Sequence, residues 1–417
     1  METFTRLESN VRLYCRKYPK VFTHARGATQ LDEDGNSYVD FLSGAGALNY
    51  GHNEPRMRDA MIDYLSGDGV ILSLDMHSAA KRSFIETFER LILAPRKLDY
   101  KMQFVGPTGT NAVEAAMKLA RKVTGRRMIA AFTHGFHGMT LGSLAATGRG
   151  SSRRGAYTSL SDVIRLPYDG YFGPGLNTME LIRKYLTDPS SGFEVPAAFL
   201  LESVQGEGGL NVASSRWFEE LVEFAREIGS LVILDEIQAG CGRCGTFFSF
   251  ETMGAVPDMV CLSKSLSGSG LPMAMVLMRP DLDLWEPGEH TGTFRGNNLA
   301  FVSATTALEC FWKGDALQRQ IAAKSEQIRK RLEAISARIP GSRVKGRGLF
   351  LGIDMGRPES AAAVLAEAFA RGLIIEVCGP HDEVLKLMPP LTISEPELAA
   401  GLSILEESIT ALELAKP

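Results

Sequence analysis

Between residues 100 and 290, short apolar runs alternate with amphipathic stretches. The runs fall at 102–105, 128–132, 197–201, 231–234, 259–262 and 273–278. Each is apolar on both faces and bounded by Gly, Pro or polar residues. Strands covered by helices on both sides read this way, which predicts a mainly parallel sheet in an α/β fold. Two intervening stretches show helical period. In 111–124, Val113, Ala116, Met117, Ala120 and Val123 share a face, and Glu114 and Lys118 are spaced as an i,i+4 pair on the exposed side. In 215–228, Trp217, Leu221, Ala225 and Ile228 form the stripe, and Gly229 supplies the stop.

After about residue 310 the pattern changes. A long charged helix (314–339) precedes strands near 348–354 and 373–378 and a terminal helix. Ser394-Glu395-Pro396-Glu397 opens that helix with capping-box spacing. The chain therefore divides into an N-terminal segment (1–60) contributing to a small domain, a large domain (61–310), and a C-terminal small α/β domain (311–417). A length of 417 residues suits two or three lobes.

Composition removes several functions. The formal net charge is −4, and the basic cluster Arg149, Arg153, Arg154 reads as a solvated loop, so no nucleic-acid partner is expected. No apolar run reaches membrane-spanning length, and the first 20 residues lack the apolar middle of a signal peptide. Six scattered cysteines form no disulfide framework, so a cytoplasmic location is expected.

Three segments carry chemistry. The strand Leu231-Val232-Ile233-Leu234 ends in Asp235-Glu236, delivering one carboxylate to the edge where open α/β sheets bind ligands and turning the other away. A second apolar strand ends in Ser263-Lys264-Ser265, a lysine among small residues. A lysine for an imine and a carboxylate for a pyridinium nitrogen are what pyridoxal chemistry requires. Between a strand and the 111–124 helix lies Gly106-Pro107-Thr108-Gly109-Thr110-Asn111. Free N–H groups and the helix dipole make an anion site there.

With these residues in place, the chain resembles fold-type I, class III (ω-type) aminotransferases over nearly its full length. In that family Thr108-Gly109-Thr110 matches the phosphate segment, and Phe136, before His137-Gly138, matches the aromatic stacked on the cofactor ring. Glu202-Ser203-Val204-Gln205-Gly206-Glu207-Gly208-Gly209 and the run from Asp235 to Arg243 match two further signatures. The likeness implies pyridoxal 5'-phosphate held by Lys264 as a Schiff base, Asp235 on the pyridine nitrogen and Gln238 on the ring hydroxyl. It gives Glu207 a gating role between half-reactions. His290-Thr291-Gly292-Thr293-Phe294 implies a Thr293 contact to phosphate across a dimer interface, hence a homodimer or higher homo-oligomer.

Within the family, Gly44-Ala45-Gly46-Ala47-Leu48-Asn49-Tyr50, Tyr168-Asp169-Gly170-Tyr171-Phe172-Gly173 and Trp285-Glu286-Pro287-Gly288-Glu289-His290 resemble the diaminobutyrate–2-oxoglutarate branch, the ectoine-pathway type among them. That likeness implies exchange of the 4-amino group of L-2,4-diaminobutyrate with 2-oxoglutarate, between a small amino donor and a keto acid. Other class III ω-amine transaminases, a mutase or racemase of the superfamily, and a non-catalytic cofactor-binding protein are the alternatives. Two departures stand out. Lys386 replaces a common carboxylate-binding arginine, and Arg295 occupies a position more often glycine, so either or both are expected to anchor substrate carboxylate. Asn111 replaces a frequent Glu.

Some signals are set aside. Gly240-Cys241-Gly242-Arg243-Cys244-Gly245 satisfies GxGxxG, but Thr246-Phe247-Phe248-Ser249-Phe250 is a poor helix start for a dinucleotide site. Cys241 and Cys244 have CxxC spacing without a second ligand pair, so packing is expected rather than zinc. His134 and His137 lack carboxylate partners suited to a metal.

Overall fold

The computed structural model describes residues 2–173 and 175–414. All six apolar runs are strands of one seven-stranded sheet. Its order is Lys101–Phe104, Met275–Met278, Met259–Leu262, Leu231–Asp235, Ala198–Leu201, Ile129–Phe132 and Val163–Leu166. Met275–Met278 runs antiparallel to both neighbours, and the other pairs are parallel. The edge strand Val163–Leu166 is hidden in the sequence because Arg165 interrupts its apolar run; that guanidinium binds the carbonyls of Ala145, Ala146 and Thr147.

Alternation along each strand sends side chains into two cores. Ile129, Ala131, Ile233 and Cys261 face the helix Gly109–Thr124 with Val113, Ala116 and Met117, while Ala130, Phe132, Val232, Leu234 and Val260 face the opposite layer. The five inner strands are buried on both faces, which is why they read as continuous apolar runs. The second helix spans Ser215–Glu227 and buries Trp217, Leu221 and Ala225, with Gly229 at φ +67° beyond its end. The expected Glu114–Lys118 pair is not made. Glu114 accepts instead from Thr140 Oγ1 (2.7 Å) and Ser143 N (3.0 Å), and Lys118 donates to the Glu289 carbonyl. Fixed tertiary partners win over a solvated pair worth only a few tenths of a kcal/mol (~0.3–0.5).

The charged helix spans Ala316–Ser336, and the capping box at Ser394 is formed, with Ser394 N donating to Glu397 (3.1 Å) and Glu397 N to Ser394 Oγ (3.3 Å). The run 373–378 splits between two sheets. Leu373–Ile374 pairs in parallel with Ser37–Asp40, completing a sheet with Phe22–Arg26 and Thr29–Asp32. Glu376–Cys378 joins an antiparallel sheet with Val384–Leu387, Phe350–Asp354 and Arg343–Arg347. Among the described residues no helix is long and apolar enough to cross a membrane.

Candidate active site

The Asp235 and Lys264 strands are parallel neighbours in register, with Asp235 opposite Cys261. Their carboxyl ends therefore open on the same sheet edge, where the chain turns away and side chains are free to meet. A cavity of about 180 Å³ lies there, lined by Gly109, Thr110, Phe136, His137, Gly138, Glu202, Glu207, Asp235, Ile237, Gln238 and Lys264.

Lys264 adopts φ +49°, a left-handed conformation costing on the order of 1–3 kcal/mol in a non-glycine residue. Its neighbours hold it there: Ser263 Oγ donates to Met273 O and Ser265 Oγ to Gly46 O, both at 2.8 Å. The lysine Nζ makes no hydrogen bond or ion pair within the described residues. Burial lowers its pKa below the usual lysine range, with Lys386 adding to the effect against Glu207.

Across the cavity, Asp235 Oδ2 lies 2.8 Å from His137 Nδ1, and Asp235 Oδ1 accepts from Ile237 N at 3.1 Å. Glu236 points away, as strand alternation demands. It accepts from Ser249 N at 3.0 Å, and burial raises its carboxyl pKa to about 7. Glu202 accepts from Phe136 N and Gly206 N at 3.0 Å each; burial raises it to about 7, His137 opposing and Asp235 reinforcing. In the sequence Glu202 is one residue of a motif with no task of its own. The structure shows it fixing the loop that carries Phe136.

The helix Gly109–Thr124 points its first turn at the cavity. A Cβ on Gly109 would sit 2.9 Å from Ile237, and one on Gly138 (φ +125°) would sit 2.4 Å from Thr110 Oγ1. These glycines leave space against the main chain at the helix start, which suits a phosphate. Gln238 Nε2 donates to Ala45 O at 3.0 Å, and a Cβ on Gly206 would fall 1.8 Å from its Oε1.

A match to the family model "Aminotransferase class-III" over residues 14–409 joins this geometry. The chain belongs to the class III aminotransferases. A diaminobutyrate–2-oxoglutarate transaminase of Bordetella parapertussis is 52% identical over 412 residues, spanning 98% of this chain and 95% of that protein. One of Vibrio cholerae is 54% identical over 408 residues, spanning 97% and 99%. Among solved structures, an S-selective transaminase from Bacillus megaterium shares the fold at a TM-score of 0.88 and 21% identity, covering 100% of this chain and 98% of that one.

This aminotransferase uses pyridoxal 5'-phosphate, and the cavity fits it. An unpaired buried lysine, a carboxylate opposite, an aromatic wall and a helix N-terminus match the aldehyde, ring nitrogen, ring face and phosphate. Thr108 lies at the edge of this arrangement, exposed, its hydroxyl donating to Asn111 Oδ1 at 2.8 Å; that bond is the observed use of Asn111.

Three expected residues lie elsewhere. Thr293 is exposed in the turn Thr293–Gly296, outside the cavity of its own chain. Arg295 pairs with Asp75 and lines a separate surface cavity of about 360 Å³ with Lys81, Lys101 and Trp285. Lys386 is fully buried and places Nζ 2.7 Å from Glu207, 3.2 Å from Glu376 and 3.4 Å from Gly206 O. Lys386 thus sits behind Glu207, donating to it and to Gly206 O and ion-paired with Glu376, and does not itself line the cavity. Glu376 was missed altogether, although a lone carboxylate in the apolar run 373–378 was a signal that a buried cation waits opposite.

The remaining motif residues are structural. Arg243 is wholly buried and ties Leu349 O, Pro389 O and Asn49 together (3.1, 2.6 and 2.6 Å). Cys241 and Cys244 are free and buried, and burial raises the Cys244 thiol to about 12, so neither is a reactive pair. Among the described residues no His/Cys/Asp/Glu cluster could hold a metal ion.

Proposed function

We propose that this aminotransferase moves the 4-amino group of L-2,4-diaminobutyrate to 2-oxoglutarate, giving L-aspartate 4-semialdehyde and L-glutamate, reversibly and by a ping-pong course. The reading is supported by the cavity that joins Lys264 to Asp235 and by near-full-length relatives named for this reaction. Bound pyridoxal phosphate supplies an electron sink for the amino-bearing carbon. Freed from the cofactor by the incoming amine, Lys264 Nζ, its pKa lowered by burial, would carry a proton from that carbon to the cofactor in the first half-reaction and in the opposite sense in the second. Asp235 holds negative charge at the far wall, and His137 orients it at 2.8 Å. Thr110 and the first turn of its helix receive phosphate, Phe136 covers the ring face, and Gln238 offers its amide to the ring hydroxyl. Glu207 faces incoming substrate. Lys386 holds its carboxyl down at about 2 against burial, which alone would raise it.

The proposed working unit is a homodimer with shared sites, to which Thr293 of each chain contributes from outside its own cavity. Support comes from the exposed apolar patch beside it: Val70, Met76 and Phe294 are 56%, 58% and 63% exposed, and Leu72 bridges Asn297. Division into a large domain (61–310) and a small one (1–60 with 311–417) belongs to the same proposal, as does a cytoplasmic location, in keeping with six free cysteines.

The test is the visible absorbance of cofactor-loaded protein. Loss of the lysine-bound band on adding L-2,4-diaminobutyrate, and its return with 2-oxoglutarate, is the expected result. A band unmoved by diaminobutyrate would reject this donor, and intersecting double-reciprocal lines would reject ping-pong kinetics.

A further inference from the structure

We propose that Arg149 is the substrate-carboxylate anchor of this enzyme. The inference rests on the transamination reading above and names the group that recognises the acidic end of donor and keto acid. Glu202, Glu207 and Asp235 line the cavity, and Lys264 is its only lysine or arginine among the described residues. A substrate carboxylate entering beside Glu207 meets like charge unless another cation turns toward it.

Among the described residues, two cations pair with Glu207. Lys386 is fully buried, hydrogen-bonded to Glu207 and Gly206 O and ion-paired with Glu376, and it does not line the cavity. Arg149 is less tightly held. Its Nη1 lies 3.3 Å from Glu207 Oε2, long for a charged pair, where Lys386 lies at 2.7 Å. Its side chain retains 22% exposure, so one face is open. Nη2 meets Asp382 at 2.5 Å and Nε meets Ser151 at 3.1 Å, which leaves part of the five-donor fork unclaimed among the described residues.

The backbone aims it. Gly148 N donates to Gly135 O at 2.6 Å, binding the Arg149 loop to the loop of Phe136, and a Cβ on Gly148 would meet His134 N at 3.0 Å. Arg149 is therefore held beside the cofactor wall, and a short swing from Glu207 gives a planar fork for a carboxylate. Glu207 keeps Lys386 when Arg149 leaves, and Asp382, whose side chain is about half exposed, is left to solvent, so the exchange strands no buried charge.

The experiment compares wild type, Arg149→Ala and Arg149→Lys, all cofactor-loaded, with L-2,4-diaminobutyrate and with 1,3-diaminopropane, the same diamine without its carboxylate. Calorimetry measures binding of glutarate, an unreactive dicarboxylate, independently of turnover. Arg149→Ala is expected to lose about ten- to a hundredfold in kcat/KM for diaminobutyrate and to weaken glutarate binding similarly. The kcat/KM for 1,3-diaminopropane, which in a ping-pong course reports the donor half-reaction alone, should stay within about twofold, and Arg149→Lys should recover only part of the loss. Equal losses on both donors with glutarate binding unchanged would overturn the proposal and leave Arg149 a positioning residue for Glu207. Failure of wild type on diaminobutyrate alone would reject the donor assignment, while the glutarate result would still decide the Arg149 question.

Discussion

Lys386→Met tests the buried charge cluster behind the site. Glu376 and Lys386 are directly paired across adjacent antiparallel strands, and Lys386 also lies 2.7 Å from Glu207. Methionine fills similar volume but leaves two carboxylates in a low-dielectric pocket. Glu376 keeps only the Tyr14 hydroxyl (2.9 Å), and Glu207 keeps only Arg149. Breaking a buried pair in this way costs about 3–5 kcal/mol. The pH dependence follows from linkage. In the wild type the Glu207 pKa is lowered from 4.5 to about 2, burial opposing and Lys386 prevailing. Its stabilisation is present in full above about pH 4.5 and is lost as pH falls toward about 2. Without Lys386, burial raises that carboxyl, so the variant regains stability by taking up protons as pH drops from neutral. Urea unfolding at pH 8 and pH 5 should show a large deficit at pH 8 that narrows by pH 5. Adding Glu376→Gln to Lys386→Met should restore part of the loss at pH 8. A deficit independent of pH, or no deficit at pH 8, would refute the reasoning.

Replacing Lys264 with Ala should reduce turnover by at least about a hundredfold and abolish the lysine-bound visible band, checked by steady-state assay and absorbance. Gly206→Ala places a methyl 1.8 Å from Gln238 Oε1 and should displace that amide, raising the Kd for pyridoxal phosphate about tenfold in an equilibrium titration with apoenzyme while far-ultraviolet circular dichroism stays unchanged. In native protein at pH 8, Ellman's reagent should modify exposed Cys15 at once and half-buried Cys310 slowly; Cys241, Cys244, Cys261 and Cys378 should react only after unfolding. Rapid modification of three or more thiols would contradict their burial.

The core of the large domain was legible because strands dry on both faces cannot conceal their composition. Asp235 and Lys264 were legible for a related reason. Each closes an apolar run, and parallel neighbouring strands must bring their carboxyl ends to one edge. Motif order then supplied the family, which the match over residues 14–409 bears out. Local sequence was equally decisive for the capping box at Ser394 and the stop at Gly229, since both act within one helical turn.

Tertiary structure decided the fate of the charges. Lys386 looked like a free cation until strand register set Glu376 against it. Arg149 looked solvated until the Gly148–Gly135 hydrogen bond folded its loop over the cofactor wall. Glu114 and Lys118 had ideal helical spacing, yet each found a fixed partner outside its helix. Arg295, expected at substrate, sits with Asp75 beyond the cavity. Apolar burial is set by composition along a strand, whereas a long charged side chain settles on whichever acceptor the finished fold brings within about 3 Å, and that choice is made between segments far apart in the chain.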